Sequence, residues 1–152
     1  MKFLAKSNSR IIAMMLLYIY DINKELDVDK SVQMILDNNN LNLKEDEVQE
    51  NVEYDKDFLS KLIDGVIIKK DYLDYIISLV IEGYTLDTLS FVDRNILRMA
   101  TYDIIYMHTP KEVVINEAVN VAKVYSEIEG FKAGNFDNAV LDKIANAHFK
   151  EE

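Results

Sequence analysis

The chain has 152 residues, 49% hydrophobic and 29% charged, with a net charge of −10, which fits one globular domain with a real hydrophobic core. The absence of cysteine excludes disulfides and thiolate metal sites, and the two histidines, His108 and His148, have no partner at metal-ligand spacing. Four glycines, with neither G-x-G-x-x-G nor G-x-x-x-x-G-K, exclude a dinucleotide or phosphate loop, so no cofactor is expected.

The charge is unevenly distributed. Residues 1–24 carry Lys2, Lys6, Arg10 and Lys24 against Asp21 alone, whereas residues 25–64 carry twelve acids and four bases. A bulk nucleic-acid binder would be basic overall, so any RNA contact in this chain must be local.

The basic start precedes ten uninterrupted apolar residues, Ile11 to Tyr20, and so imitates a secretory signal. Asp21-Ile22-Asn23-Lys24-Glu25 follows without a small-residue cleavage site, and the run falls well short of the roughly 20 residues that span a bilayer. A cytoplasmic protein without a membrane segment is expected. The run predicts a buried first helix from about Ser9 to Asn23. If that helix extends back, the spacing of four puts Lys2, Lys6 and Arg10 on one face, with Tyr18 two turns beyond Arg10. Basic residues near aromatics can grip single-stranded RNA through phosphates and base stacking. A charged end on a buried helix also needs no ligand, and both readings stand at this point.

A second helix is expected over about Asp29 to Asn38, with Val32, Ile35 and Leu36 inward. Residues 38–53 are polar and acidic and read as a solvated connection; they lack the D-x-D-x-D-G pattern of a calcium loop. From Asp55 to Glu82, apolar residues from Phe58 to Val80 recur at helical spacing, as one long helix or two broken near Lys69-Lys70, with Gly83 as terminator.

Ser90-Phe91-Val92-Asp93 has the form of a capping box. In the helix it opens, Ile96, Leu97, Ala100, Ile104 and Met107 fall within about 100° of arc, and Tyr102, Ile105 and Tyr106 extend the apolar surface, so this helix belongs in the middle of a bundle. Thr109-Pro110-Lys111-Glu112 reads as a second capping box, with Thr109 at N-cap and Pro110, the chain's one proline, at the first helical position. The helix it starts has Ile115, Ala118, Val119, Ala122 and Tyr125 in one stripe. Asn116, Glu117, Asn120, Lys123 and Glu127 lie opposite, on a solvated face near the positive end of the helix dipole. A later start with Asn116 itself as N-cap remains open. Glu129-Gly130 closes this helix, and a last one runs from about Asn135 to Phe149 with Phe136, Val140, Ile144 and Ala147 inward.

No carboxylate pair is marked by a histidine, a metal pattern or a nucleophile, so the expectation is a helical binding module with no enzymatic activity and no metal. Asp93 and Asp103, beside Tyr102, offer an acidic face on which a basic protein partner could dock, and Glu117 on the outer face would also reach a partner. Asp93 as a helix cap only is the competing reading.

The segments "FVDRNILRMATYDIIYM", "TPKEVVINEAVNVAKVYSEIEG" and "NFDNAVLDKIA" resemble the NusB family of bacterial transcription antitermination factors. That family shows a "V-x-R-x-x-L-R-x-A-x-Y-E"-like helix, a "P-x-x-V-x-I-N-E-A-V-x-L-A-K" helix and a closing "F-V-N-G-V-L-D-K"; its "ALY" element matches Leu16-Leu17-Tyr18. The resemblance covers residues 5–147 in order. It implies an all-α, single-domain bundle of about six to seven helices over residues 1–152. It further implies binding of boxA-like single-stranded RNA, jointly with the small ribosomal protein NusE, within RNA polymerase antitermination complexes on ribosomal RNA operons. By position, the family's arginine-rich start falls on Lys6, Ser7, Asn8 and Arg10, of which only Lys6 and Arg10 keep charge. "F-V-N-G" has become Phe136-Asp137-Asn138-Ala139. The alternative is a protein-interaction module of the same fold, homodimeric or partner-bound, that lost RNA binding.

Overall fold

The computed structural model describes residues 2–37, 53–126 and 132–152. Six α-helices and one short 3-10 helix make up its regular structure: α1 Lys2–Ile22, α2 Val28–Asp37, α3 Lys56–Val80, the 3-10 turn Leu86–Thr88, α4 Phe91–Ile105, α5 Lys111–Tyr125 and α6 Ala133–Ala147. This is the expected all-α fold. The residues group into two compact units, Met1–Ile63 and Asp64–Glu152, with the boundary inside α3. The expected solvated connection lies outside the described residues except for Glu53. The Glu129-Gly130 stop and Glu127 lie outside them as well.

In the first unit, α1 reaches back to Lys2, well before Ser9, so the basic residues do lie on one helix. Its apolar run is core: Ile11, Ile12, Ala13, Met14, Leu16 and Leu17 are all buried, together with Val32 and Ile35 of α2 and Phe58, Leu59, Leu62 and Ile63 of α3. No helix among the described residues is long and apolar enough to cross a membrane. The polar start of α1 is also buried, because it faces the segment that leads into α3. Asn8 Nδ2 donates to the Glu53 carbonyl (2.8 Å), and Ser9 Oγ accepts the Asp55 N–H (2.7 Å). Asp55 Oδ1 in turn accepts the Phe58 N–H (3.0 Å) and caps α3.

In the second unit α3 continues unbroken through Lys69-Lys70 and ends before Gly83, whose φ of +83° suits a residue without a Cβ. α4, α5 and α6 pack on one another. α4 is the most enclosed element, since every residue from Asn95 to Thr101, nearly two turns, is buried. This agrees with the central-helix expectation, but the buried set includes polar residues, and Ile104 and Met107 of the predicted stripe are only half-buried.

Between α4 and α5 the proline acts differently from the expectation. α5 starts at Lys111 with Pro110 as its N-cap, and no side chain caps it. The Thr109 hydroxyl donates instead to Asp103 Oδ1 (2.5 Å), so the second capping box does not form. α4 has already ended at Ile105, and the chain reverses through His108 in the left-handed region (φ 55°) before Pro110.

The buried face of α5 is Val114, Glu117, Ala118, Val121 and Ala122, rotated from the predicted stripe because α5 is held by both α4 and α6. α6 runs Ala133–Ala147 and not to Phe149; Asp137 is fully buried and Ala147 is exposed. Its C-cap, His148, also has a positive φ of 53°.

Two outcomes follow from this packing. Leu97 is fully enclosed while Ile104 is half-buried, so Leu97→Ala should lower unfolding free energy in urea by roughly 2–5 kcal/mol and Ile104→Ala by less. Gly65, midway along α3, lies under the ring of Tyr102, which stacks on Tyr106 at 4.8 Å. A Cβ there would collide with that ring. Gly65→Ala should therefore destabilise the native chain, yet stabilise a Tyr102→Ala background by up to about 1 kcal/mol, where helix propensity alone acts.

Candidate RNA and partner interfaces

The basic candidates belong to α1. Lys6 is exposed, with its ammonium 5.3 Å from the centre of the Phe58 ring; the Arg10 guanidinium lies 4.8 Å from the same centre but is only 5% exposed. Tyr18 is exposed, and Lys24 packs over Tyr20 at 4.5 Å. The Lys2 side chain lies outside the described residues. Capping of α3 by Asp55 puts Phe58 on the first turn, where two cations of α1 lie against one aromatic ring. Arg10 therefore differs from the open phosphate contact that spacing alone suggests. Ser7 and Asn8, which replace basic residues of the family pattern, are buried.

The partner candidates need a larger correction. Asp93, Asp103 and Glu117 were expected on an acidic outer surface, and all three are buried. Asp93 Oδ2 accepts the Ser90 hydroxyl (2.8 Å), Ser90 Oγ accepts the Asp93 N–H (3.0 Å), and Asp93 Oδ1 accepts the Ser126 hydroxyl. The carboxylate thus joins the start of α4 to the end of α5. Asp103 anchors Thr109 in the turn. Glu117 lies on the inner face of α5 because it falls between Val114, Ala118 and Val121 in helical phase. Of the four predicted partner residues only Tyr102, half-buried, has open surface.

Asn116 is exposed, as expected, and lines a groove of about 350 Å³ between α5 and α6 with Lys111, Ile115, Val119, Asn138 and Asp142. Lys111 Nζ bridges the two helices by donating to Asp142 Oδ1 (3.0 Å) and Asn146 Oδ1 (3.1 Å). Glu117 does not line this groove. Among the described residues no group of three or more histidines, cysteines, aspartates or glutamates gathers to hold a metal ion. The acid at position 137, which departs from the family pattern, is fully buried and adds no charge to the surface.

Sequence reasoning passed over Arg98. Its guanidinium is buried and forks onto Asp74 of α3, Nε to Oδ1 at 2.7 Å and Nη2 to Oδ2 at 3.0 Å, with Nη1 reaching Asn95 Oδ1 at 3.3 Å. Its signals are a charged residue inside an otherwise apolar turn and its match to the second arginine of the family's helix pattern.

The NusB family model matches residues 7–146, and the chain belongs to the NusB family. It is 34% identical to the transcription antitermination protein NusB of Ruminiclostridium cellulolyticum, over 95% of this chain and 90% of that protein. Two further relatives, each 39% identical over 87 and 93 residues, are covered over only 65% and 64% of their own length. Among solved structures, Thermotoga maritima NusB matches with a TM-score of 0.70 at 31% identity, over 93% of this chain and 91% of that one. A complex of the antitermination factors NusB and NusE with double-stranded RNA matches with a TM-score of 0.68 at 24% identity, over 93% and 96%, a likeness of fold.

Burial raises the Asp93 pKa above the ordinary carboxylate range, and the Ser90 hydrogen bond only partly opposes this. The folded state then binds this proton more tightly than the unfolded chain does. The stability it contributes is present below the unfolded pKa and is lost as pH rises through the folded one. Relative to the native chain, Asp93→Asn should therefore gain stability as pH is raised from about 4 to about 7. Urea unfolding of both proteins across that range is the check, and a constant difference would contradict it.

Proposed function

We propose that this chain is a transcription antitermination factor that binds boxA-like single-stranded RNA together with NusE in RNA polymerase complexes on ribosomal RNA operons. It would act in the cytoplasm, as one binding module over residues 1–152 and not as an enzyme. The observation that carries the RNA reading is the α1 ridge, where Lys6 and Arg10 share the Phe58 ring and Tyr18 is exposed on the same helix. Membership of the NusB family supports it, as does the likeness of fold to a NusB chain bound to NusE and RNA.

Lys6 offers an open ammonium to phosphate, Tyr18 offers a ring for stacking, and Arg10 would turn outward from Phe58 to reach a second phosphate. Tyr102 is the predicted partner residue with surface to offer NusE. Asp93, Asp103 and Glu117 support the partner surface from within, by holding α4 and α5. The alternative, a protein-interaction module or homodimer that has lost RNA, is favoured by one observation: positions 7, 8 and 10 of the basic start are all buried.

The electrostatic hold is thin against a net charge of −10. Engaging Lys2, Lys6 and Arg10 gives a log–log salt slope near −2, so binding should weaken roughly 20-fold between about 50 and 200 mM salt. Fluorescent boxA-like RNA titrated with this protein, with NusE, and with both should show weak, salt-sensitive binding by this protein alone and a clear gain with the pair. Tight binding by the protein alone at the higher salt would refute the dependence on NusE. No gain on adding NusE would favour the alternative.

A further inference from the structure

The second unit carries a surface that neither the RNA ridge nor Tyr102 uses. We infer that the outer face of α3, an apolar line of Ile68, Tyr75 and Leu79 edged by Asp64 and Asp71, docks a cationic amphipathic segment of a protein partner. This surface is independent of the RNA reading.

The exposed residues of α3 from Asp64 to Leu79 are Asp64, Ile68, Asp71, Tyr75, Ser78 and Leu79. Single exposed apolar side chains are ordinary on protein surfaces. These three are 75%, 58% and 55% exposed, and at 3.6 residues per turn they fall within about 40° of arc. They form a continuous line over three turns, roughly 17 Å long. The buried face of the same helix is already complete, with Val66, Leu73, Ile76 and Ile77 in the core. The line is thus a second apolar face on a helix that needs only one, the pattern that marks an interaction surface.

Charge identifies the occupant. Asp64 and Asp71 follow one edge of the line, and neither makes an ion pair among the described residues. Of the nearby cations, Lys70 pairs with Asp74 and Lys69 reaches the Glu152 carbonyl and the Tyr106 ring, while Lys61 is exposed one turn before Asp64 and leaves the Asp71 end of the edge without a basic neighbour. No basic residue is exposed on α3 between Asp64 and Leu79. A second copy laid along this face would bring one uncompensated acidic edge against another, which disfavours self-association. RNA phosphates and anionic lipid headgroups meet the same repulsion. A helix of about three turns, apolar on one face and basic along the adjoining edge, satisfies both the line and the carboxylates.

The test uses the full chain and a fluorescent synthetic helical peptide with a leucine face and an arginine edge. A same-composition scramble and a peptide with a glutamate edge serve as controls. The arginine-edged peptide should bind, and hydrogen exchange should slow within residues 64–79. Ile68→Ser/Leu79→Ser and Asp64→Lys/Asp71→Lys should each weaken binding by at least about tenfold, equivalent to about 1.4 kcal/mol. All four positions are exposed, so thermal unfolding of both variants should match the native chain and exclude misfolding. Equal binding of the scramble, or unchanged binding by either variant, would overturn the proposal. A concentration-dependent dimer in sedimentation that Ile68→Ser/Leu79→Ser abolishes would assign the face to a second copy and overturn it equally. Loss of boxA-like RNA binding in the same variant would overturn it in favour of RNA.

Discussion

Enclosing the middle of α4, from Asn95 to Thr101, makes the buried charges of this helix depend on partners inside the protein, and much of the second unit is arranged to meet that demand. Asp93, Arg98 and Asp103 are five residues apart, so Arg98 points about 140° from each of the two aspartates, which lie about 80° from one another. Each holds a different neighbour. Asp93 takes the Ser126 hydroxyl at the end of α5, Arg98 forks onto Asp74 of α3, and Asp103 takes Thr109 in the turn that follows. Losing one member of such a pair strands the other, which for a buried ion pair costs several kcal/mol, more than the intact pair contributes. The pins therefore act chiefly by excluding other arrangements. An apolar α4 of the same shape could rotate or slide against its neighbours at little cost; this one cannot.

The same arrangement explains what could and could not be read from the sequence. Helix positions were legible because apolar residues recur every three or four positions, and α1, α2, α3 and α4 begin or end close to where that period and its capping residues place them. The polar anchors were not legible. Asp93 and Asp103 look like surface acids in a one-dimensional pattern, and only packing reveals that Ser126 and Thr109 are beside them. Glu117 was misplaced for a related reason. A helix held by one neighbour buries one stripe, but α5 is held by two, and the wider contact draws in residue 117 while leaving Ile115 and Val119 beside an open groove. Thr109 suits an N-cap by type, yet α5 has Pro110 as its N-cap, and the Thr109 hydroxyl is turned to Asp103. Family resemblance supplied the RNA and partner expectations, and periodicity could not have done so.

The α1 ridge shows a different economy. Arg10 and Lys6 each bring a positive charge to one phenyl ring, and cation–π attraction offsets part of their mutual repulsion while keeping the guanidinium away from water. A cation held in this way keeps its full charge at long range, but it must leave the ring before it can meet a phosphate directly. Asn8 and Ser9 hold the entry of α3, and Ser7 is buried. On the proposed reading, two charged positions where the family pattern has four leave a thin electrostatic hold, and an added basic partner surface would have the largest effect there.

The one proline fits into this scheme through register. α4 and α5 are both fifteen residues long, about 22 Å each, and Asp93 near the start of one must meet Ser126 just past the end of the other. Two helices of equal length close at their far ends only if the connection between them is of fixed length and direction. Pro110 contributes to that by holding Thr109 out of helical geometry and serving as the N-cap from which α5 starts at Lys111, while His108 accepts a left-handed conformation in the turn. One residue more or fewer in this turn would change where and in which direction α5 starts, and Ser126 would move away from Asp93. The proline is thus placed where a small error in the turn would undo the pins at the opposite end of the helix pair.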